Sequence, residues 1–279
     1  MKGPLYINRI EKKFQVGIRD DGVARLWREL KDCLPRYGLE ALQEITSVGS
    51  VYFDNCDCDL LRYSLLGRLK LFRLRTYETY GRHPEPITEY WVEVKTSKDE
   101  RRTKKRFRLT KGMLVDFLDG RAVGGSVFDF NRDGAAPNVV HDLYQEAQET
   151  VFTMGLKPIL LVNYKRIAFQ SEVERLSIDW DVQYYHMSKG LYNDNSWKYP
   201  VEAAAGRADK IILELKYLEE KTPTWFEDLQ NRYPIWEKDY LKPVEGMGFL
   251  FHGPLKEHKN AKSFLPMIDA YMADAQPLR

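Results

Sequence analysis

Alternation of apolar and polar side chains is the main pattern along this chain. It marks eight segments as strands: Arg9–Val16, Ser50–Asp54, Lys70–Tyr77, Tyr90–Thr96, Lys104–Leu109, Pro158–Phe169, Leu176–Tyr185 and Lys210–Tyr217. Helical periodicity predicts Gly22–Leu34, where Val23, Leu26, Trp27, Leu30 and Leu34 share a face and Asp20 and Asp21 precede as caps. It recurs at Met113–Leu118, Val139–Phe152, Pro223–Tyr233 and Lys259–Met272, the last giving a C-terminal helix within about 255–273. The charge run Ser97–Lys105 and the Gly/Asp/Asn-rich stretch Asp119–Asn138 read as exposed loops, and Asp54-Asn55 reads as a turn. Strands joined by short connections, with helices inserted late, predict an α+β fold with an antiparallel sheet in a single domain, 1–279. Closure into an eight-stranded antiparallel β-barrel with flanking helices is expected, because closure removes exposed edges.

The polar face of these strands is charged. Residues i and i+2 of a strand point to the same side. Glu11 and Lys13 therefore share a face with Arg9, and Arg73 pairs with Arg75. Glu93 pairs with Lys95, Lys104 with Arg106 and Arg108, Arg175 with Ser177 and Asp179, and Glu214 with Lys216. One such strand is ordinary for a half-solvated sheet. Six in succession, dominated by Arg and Lys where Thr, Ser or Gln would serve water equally well, predict a basic interior. Arg offers a planar fork to phosphate oxygens and Lys a point charge, while sparse carboxylates suit a divalent cation that also binds phosphate.

Composition narrows this only by exclusion. Lys and Arg number 43 against 41 Asp and Glu, a formal net charge of +2, so overall charge does not announce a polyanion and no nucleic-acid partner is expected. Cys33, Cys56 and Cys58 make a poor disulfide framework and read as reduced thiols. The scattered histidines carry no assigned acid–base role, and the aromatics Trp91, Tyr164 and Phe169 read as core. The first residues lack the apolar stretch of a signal peptide, and no run approaches the roughly 18 apolar residues of a membrane span. A soluble cytoplasmic protein without a transmembrane segment of its own is the expectation.

Eight short segments in order carry a family resemblance. Arg9-Ile-Glu11-Lys-Lys13-Phe, Ser50-Val-Tyr-Phe-Asp54-Asn55 and Phe72-Arg-Leu-Arg-Thr-Tyr77 open the series. Trp91-Val-Glu-Val-Lys-Thr96, Arg106-Phe-Arg-Leu109, Tyr164-Lys-Arg-Ile-Ala-Phe-Gln170, Arg175-Leu-Ser-Ile-Asp179 and Leu213-Glu-Leu-Lys216 continue it. Together they resemble the polyphosphate polymerase domain of the vacuolar transporter chaperone (VTC) branch of the triphosphate tunnel (CYTH-like) enzymes. The resemblance implies a tunnel in which Lys13, Arg73, Arg75, Lys95, Lys104, Arg106, Arg166, Arg175 and Lys216 grip a triphosphate or polyphosphate. Lys13, Arg73, Arg75, Lys95, Arg166 and Lys262 would act in the chemistry. It further implies Mn²⁺ or Mg²⁺ on Glu214, with Glu11 and Glu93 as further candidates, and a C-terminal helix lysine, matched by Lys262 with Lys259 as the alternative. ATP or another nucleoside triphosphate would be the donor, and a separate membrane protein a partner.

Three activities are open at this point. The first is polyphosphate synthesis from a nucleoside triphosphate, and the second hydrolysis of triphosphate. The third is binding without catalysis. Hydrolytic members of the superfamily this chain resembles carry Glu-x-Glu-x-Lys on the first strand, where this chain has Arg9, Glu11 and Lys13. Arg in place of a carboxylate removes a potential ligand for a water-activating metal, which favours synthesis.

Overall fold

The computed structural model describes residues 10–17, 22–42, 45–79, 89–98, 101–187, 203–218, 221–238 and 240–273. The strands are β1 (Ile10–Val16), β2 (Glu40–Ala41), β3 (Thr46–Asp54), β4 (Lys70–Thr79), β5 (Tyr90–Lys98), β6 (Arg101–Leu109), β7 (Lys157–Gln170), β8 (Arg175–His186), β9 (Gly206–Ala208), β10 (Ile211–Tyr217) and β11 (Ile235–Glu237). The helices are α1 (Val23–Cys33), α2 (Asp59–Leu65), α3 (Lys111–Leu118), α4 (Gly125–Asn131), α5 (Pro137–Thr153), α6 (Thr224–Arg232), α7 (Lys242–His252) and α8 (Ala261–Ala273). All eight predicted strands form. The charge run at Ser97–Lys105 is the facing ends of β5 and β6 rather than a loop, and α4 lies inside the stretch read as loop at Asp119–Asn138. Asp20 and Asp21, expected as caps of α1, lie outside the described residues.

The strands build one 11-stranded sheet in the order β11-β1-β10-β8-β7-β3-β4-β5-β6, with β2 on β7 and β9 on β8. Every pairing is antiparallel. The expected closed eight-stranded barrel is therefore corrected: among the described residues, β6 and β1 do not pair. The physical reason lies at both edges. The outer side of β1 is taken by β11, with Phe14 opposite Glu237. At β6, the Asn131 side chain of α4 accepts from the Arg108 N–H at 2.8 Å and donates to the Arg108 carbonyl at 2.9 Å. Both edges are covered without meeting.

Apolar residues on the outer face of the sheet pack under two groups of helices. Phe14, Ile167, Ile178 and Leu213 meet Leu26 and Leu30 of α1 and Phe226 of α6. Phe72, Val92 and Phe107 meet Phe117 of α3 and Tyr144 of α5. The inner face is different. At one end it is apolar, where Tyr52, Leu71, Leu160, Tyr184 and Ile212 pack against Val244, Met247 and Phe251 of α7. Close approach there needs glycine, since a Cβ on Gly246 would lie 2.6 Å from Leu160 Cδ2 and 2.7 Å from Tyr184 Cδ1. α7 thus lies across one end of the curled sheet, and the rest of the inner face is charged.

Candidate functional site

The inner face is organised around buried carboxylates. Glu93 on β5 is fully buried and faces Arg73 on β4 and Arg106 on β6 by register. Arg73 Nε donates to Glu93 Oε2 at 2.7 Å, and Lys104 Nζ lies 2.5 Å from Oε1. Desolvation opposes this carboxylate's charge, but Arg73, Lys104, Arg75 and Lys95 outweigh it and hold Glu93 well below the usual carboxylate range. Arg73 also donates to the Tyr52 hydroxyl at 3.1 Å, and Arg75 to Ser50 Oγ at 3.0 Å. Two guanidinium planes are thereby fixed side by side in the interior.

Asp179 on β8 anchors a second group. Arg166 donates to it through Nε at 2.6 Å and Nη2 at 2.8 Å, and Lys242 Nζ through a 2.7 Å bond. Lys242 is the first residue of α7, so the helix across the sheet's end also delivers a cation. Between these groups stands Tyr164, whose ring lies 4.6 Å from Lys242 Nζ and 5.4 Å from the Arg166 guanidinium carbon. Its buried hydroxyl has no hydrogen-bond partner among the described residues. Desolvation pushes this phenol up to about 12 against the pull of Arg166, Arg75 and Arg73, so it is a proton donor. Lys242 and Tyr164 are site residues that the strand pattern did not single out, whereas Asp179 was placed on the charged face with Arg175 and Ser177 but given no role.

The third group is the pair Glu11 and Glu214 on β1 and β10. Lys216 Nζ sits 3.0 Å from Glu11 and 3.1 Å from Glu214. Desolvation and Glu214 raise Glu11, but Lys216, Lys95 and Lys13 prevail and lower it. Glu214 is held well below its ordinary value against desolvation, chiefly by Lys216, Arg166 and Lys95. Lys95 belongs to β5, at the far side of the sheet order, so the unclosed sheet still curls enough to oppose its two halves. Lys13 Nζ donates to the Tyr240 carbonyl at 2.8 Å.

Lys95 and Arg175 differ from the other interior cations. Neither makes a hydrogen bond or ion pair among the described residues. Desolvation and Arg73 push the Lys95 ammonium well below its ordinary value, and desolvation and Arg166 lower Arg175. Arg106 is exposed and lies against the Trp91 ring, 4.5 Å from its centroid. Lys262 is exposed on α8, and Lys259 pairs with Asp57 at 2.5 Å outside the inner face. Arg9 lies outside the described residues. Asp54 and Asn55, read as a turn, form one: Asp54 accepts from the N–H groups of Asn55, Leu60 and Leu61 and so caps α2.

No cluster of three or more His, Cys, Asp or Glu side chains with metal-site geometry occurs among the described residues. Glu93 is saturated by cations. Glu11 and Glu214 are the carboxylate pair that fits a divalent ion completed by phosphate oxygens.

The site is thus an unclosed, inward-charged antiparallel sheet whose two halves bring cations opposite one another across the interior. The chain belongs to the VTC domain family, whose model matches residues 8–240. It is 26% identical over 246 residues to vacuolar transporter chaperone complex subunit 4 of Schizosaccharomyces pombe, covering 76% of this chain and 33% of that protein. The chain thus spans about a third of that relative's length. Similar solved structures include the Mimivirus capping enzyme triphosphatase, at 11% identity and TM-score 0.35, covering 80% of this chain and 87% of that one. Another is the PH1012 protein of Pyrococcus horikoshii OT3, at 13% identity and TM-score 0.35, covering 79% and 84%. No helix among the described residues is long and apolar enough to cross a membrane.

Proposed function

We propose that this chain transfers the γ-phosphoryl group of a nucleoside triphosphate such as ATP to the end of an inorganic polyphosphate, with Mn²⁺ or Mg²⁺. The observation that carries this reading is the inner face itself, where Lys95 and Arg175 make no hydrogen bond or ion pair among the described residues and stand beside guanidinium groups already fixed by Glu93 and Asp179. Phosphoryl transfer asks for alignment and charge stabilisation more than for covalent help. Arg73, Arg75, Arg166 and Lys242 orient the phosphate chain, and the Tyr164 hydroxyl donates to one of its oxygens. Lys95 and Arg175 meet the charge that develops on the transferred group.

Glu11 and Glu214 would hold the divalent ion, whose contribution when bound is neutralisation of phosphate oxygens. The acceptor is an ionised phosphate oxygen, so no residue is required as a strong general base. Arg9, at a position where hydrolytic relatives carry Glu, supports transfer to phosphate over transfer to water. A membrane-protein partner in the cytoplasm would receive the product, a reading supported by the relative's place in a complex.

The test is incubation of the purified chain with ATP and Mn²⁺, scored for acid-labile polymer and for free phosphate. Polymer is the expected product. Phosphate alone would make the chain a triphosphatase. Tight polyphosphate binding without turnover would make it a binding module. Glu214→Ala is expected to abolish metal-dependent turnover, and full activity in that variant would remove the metal assignment.

A further inference from the structure

Most large aromatic side chains of this protein lie in one of the three apolar clusters, but Trp91 and Tyr77 lie in none of them. Both belong to the inner face, Tyr77 two residues beyond Arg75 and Trp91 two residues before Glu93. Arg75 and Trp91 are direct cross-strand partners. On β4 and β5 these positions run away from Leu71 and its neighbours, against which α7 packs, so the two aromatics mark the opposite end of the site. Tyr77 is 40% exposed there.

Two arginines of β6 lie against the Trp91 ring, and they are held differently. Arg108, 5.7 Å from the ring centroid, is committed to the Phe130 carbonyl at 2.6 Å, to Glu89 at 3.0 Å and to Asp133. Arg106, 4.5 Å from the centroid, makes no hydrogen bond or ion pair among the described residues. Among the described residues the indole is its nearest oriented contact. A guanidinium carbon 4.5 Å from the centroid of a partly exposed indole, both outside the core, puts a cation and a π-face where another planar π system can stack.

We propose that Trp91 and Arg106 form a shelf for the nucleobase of the phosphoryl donor, with the triphosphate running inward to the arginines fixed by Glu93. The inference rests on the reading of the inner face as a triphosphate site. Stacking recognises a π-face and not an edge pattern, so the shelf distinguishes nucleotides from bare tripolyphosphate while discriminating little among bases. Trp91 is one inward-facing position from Glu93, a rise of roughly 7 Å along the strand. That spacing leaves room for the sugar and first phosphate between base and grip.

Calorimetric binding of ATP and of tripolyphosphate separates this idea from its alternatives. In Trp91→Leu the ATP affinity is expected to fall about tenfold while tripolyphosphate affinity stays within about twofold, and Trp91→Phe is expected to retain most ATP affinity. An equal fall for both ligands would overturn the shelf, leaving Trp91 as a prop for a phosphate-binding Arg106. No fall for either would overturn it as well. Wild-type protein that binds neither ligand would remove the triphosphate reading, and the shelf with it. As a check independent of Trp91→Leu, ATP is expected to quench tryptophan fluorescence more than tripolyphosphate does, and this excess to vanish in Trp91→Phe. Persistence of the excess in that variant would sink the proposal.

Discussion

Glu93 and Lys95 stand two positions apart on one strand, and their surroundings give them opposite effects on stability. Glu93 is buried among cations that it holds in place, so Glu93→Gln leaves Arg73 and Lys104 uncompensated. A loss of about 3–5 kcal/mol in urea unfolding is expected, and a loss below about 1 kcal/mol would contradict its role as an anchor. Lys95 has the reverse position, a desolvated cation that makes no hydrogen bond or ion pair among the described residues and feels Glu11 and Glu214 only at longer range. Lys95→Met is expected to leave the melting temperature unchanged or raise it, while tripolyphosphate affinity falls at least tenfold. A group that weakens the resting fold and strengthens the complex marks a functional site. The sequence showed both residues as members of a charged face, because i+2 spacing is visible in a single strand. It did not show which was paired, because Glu93 meets Arg73 through a register set 20 residues away. Tyr164 was illegible for a related reason: an orphaned hydroxyl is a property of its neighbours, and the residue type alone reads as core.

Helices α2, α4 and α7 were absent from the sequence reading, and each shows why local pattern failed. α4 is seven residues long, too short for a periodic face. α7 contains Pro243, Gly246 and Gly248, which read as breakers, yet proline fits the first turn and Gly246 lets the helix reach the sheet. Gly246→Ala is expected to cost about 1–3 kcal/mol through overpacking, measured by chemical denaturation. An unchanged midpoint would mean that α7 is not seated where its contacts place it. α2 is capped from five residues upstream by Asp54, whose carboxyl is raised to about 6 by desolvation despite the three backbone N–H groups that bind it. A raised carboxyl pKa stabilises the fold fully below the unfolded value of 3.8, and that contribution is lost as pH rises through about 6. Comparing wild type with Asp54→Asn in urea between pH 4 and pH 7 isolates this term. The wild type's relative advantage is expected to shrink with rising pH, by on the order of 3 kcal/mol at most. A flat difference would show that Asp54 keeps an ordinary pKa.

Across the whole molecule, eight strands, their order along the chain and the sorting of charge to one face were legible because they repeat with a period of two. Closure was not. The tendency to remove edges was met by β11 and by the Asn131 side chain in place of a β1–β6 ladder, and neither device has a periodic signature. The family match ends at Tyr240, two residues before the cation that α7 contributes. A chain ended after Tyr240 is expected to lack a cooperative thermal transition in circular dichroism, because the apolar end of the inner face loses α7. A sharp transition would show that α7 is dispensable for folding. The position of α7 also bears on the proposed reaction, because the helix packs across one end of the inner face. Under that proposal a polymer longer than the sheet would project from the side away from α7, held at one terminus. Product lengths would then follow from donor supply and from how often the chain lets go, and the distribution would shift with the ratio of donor to protein.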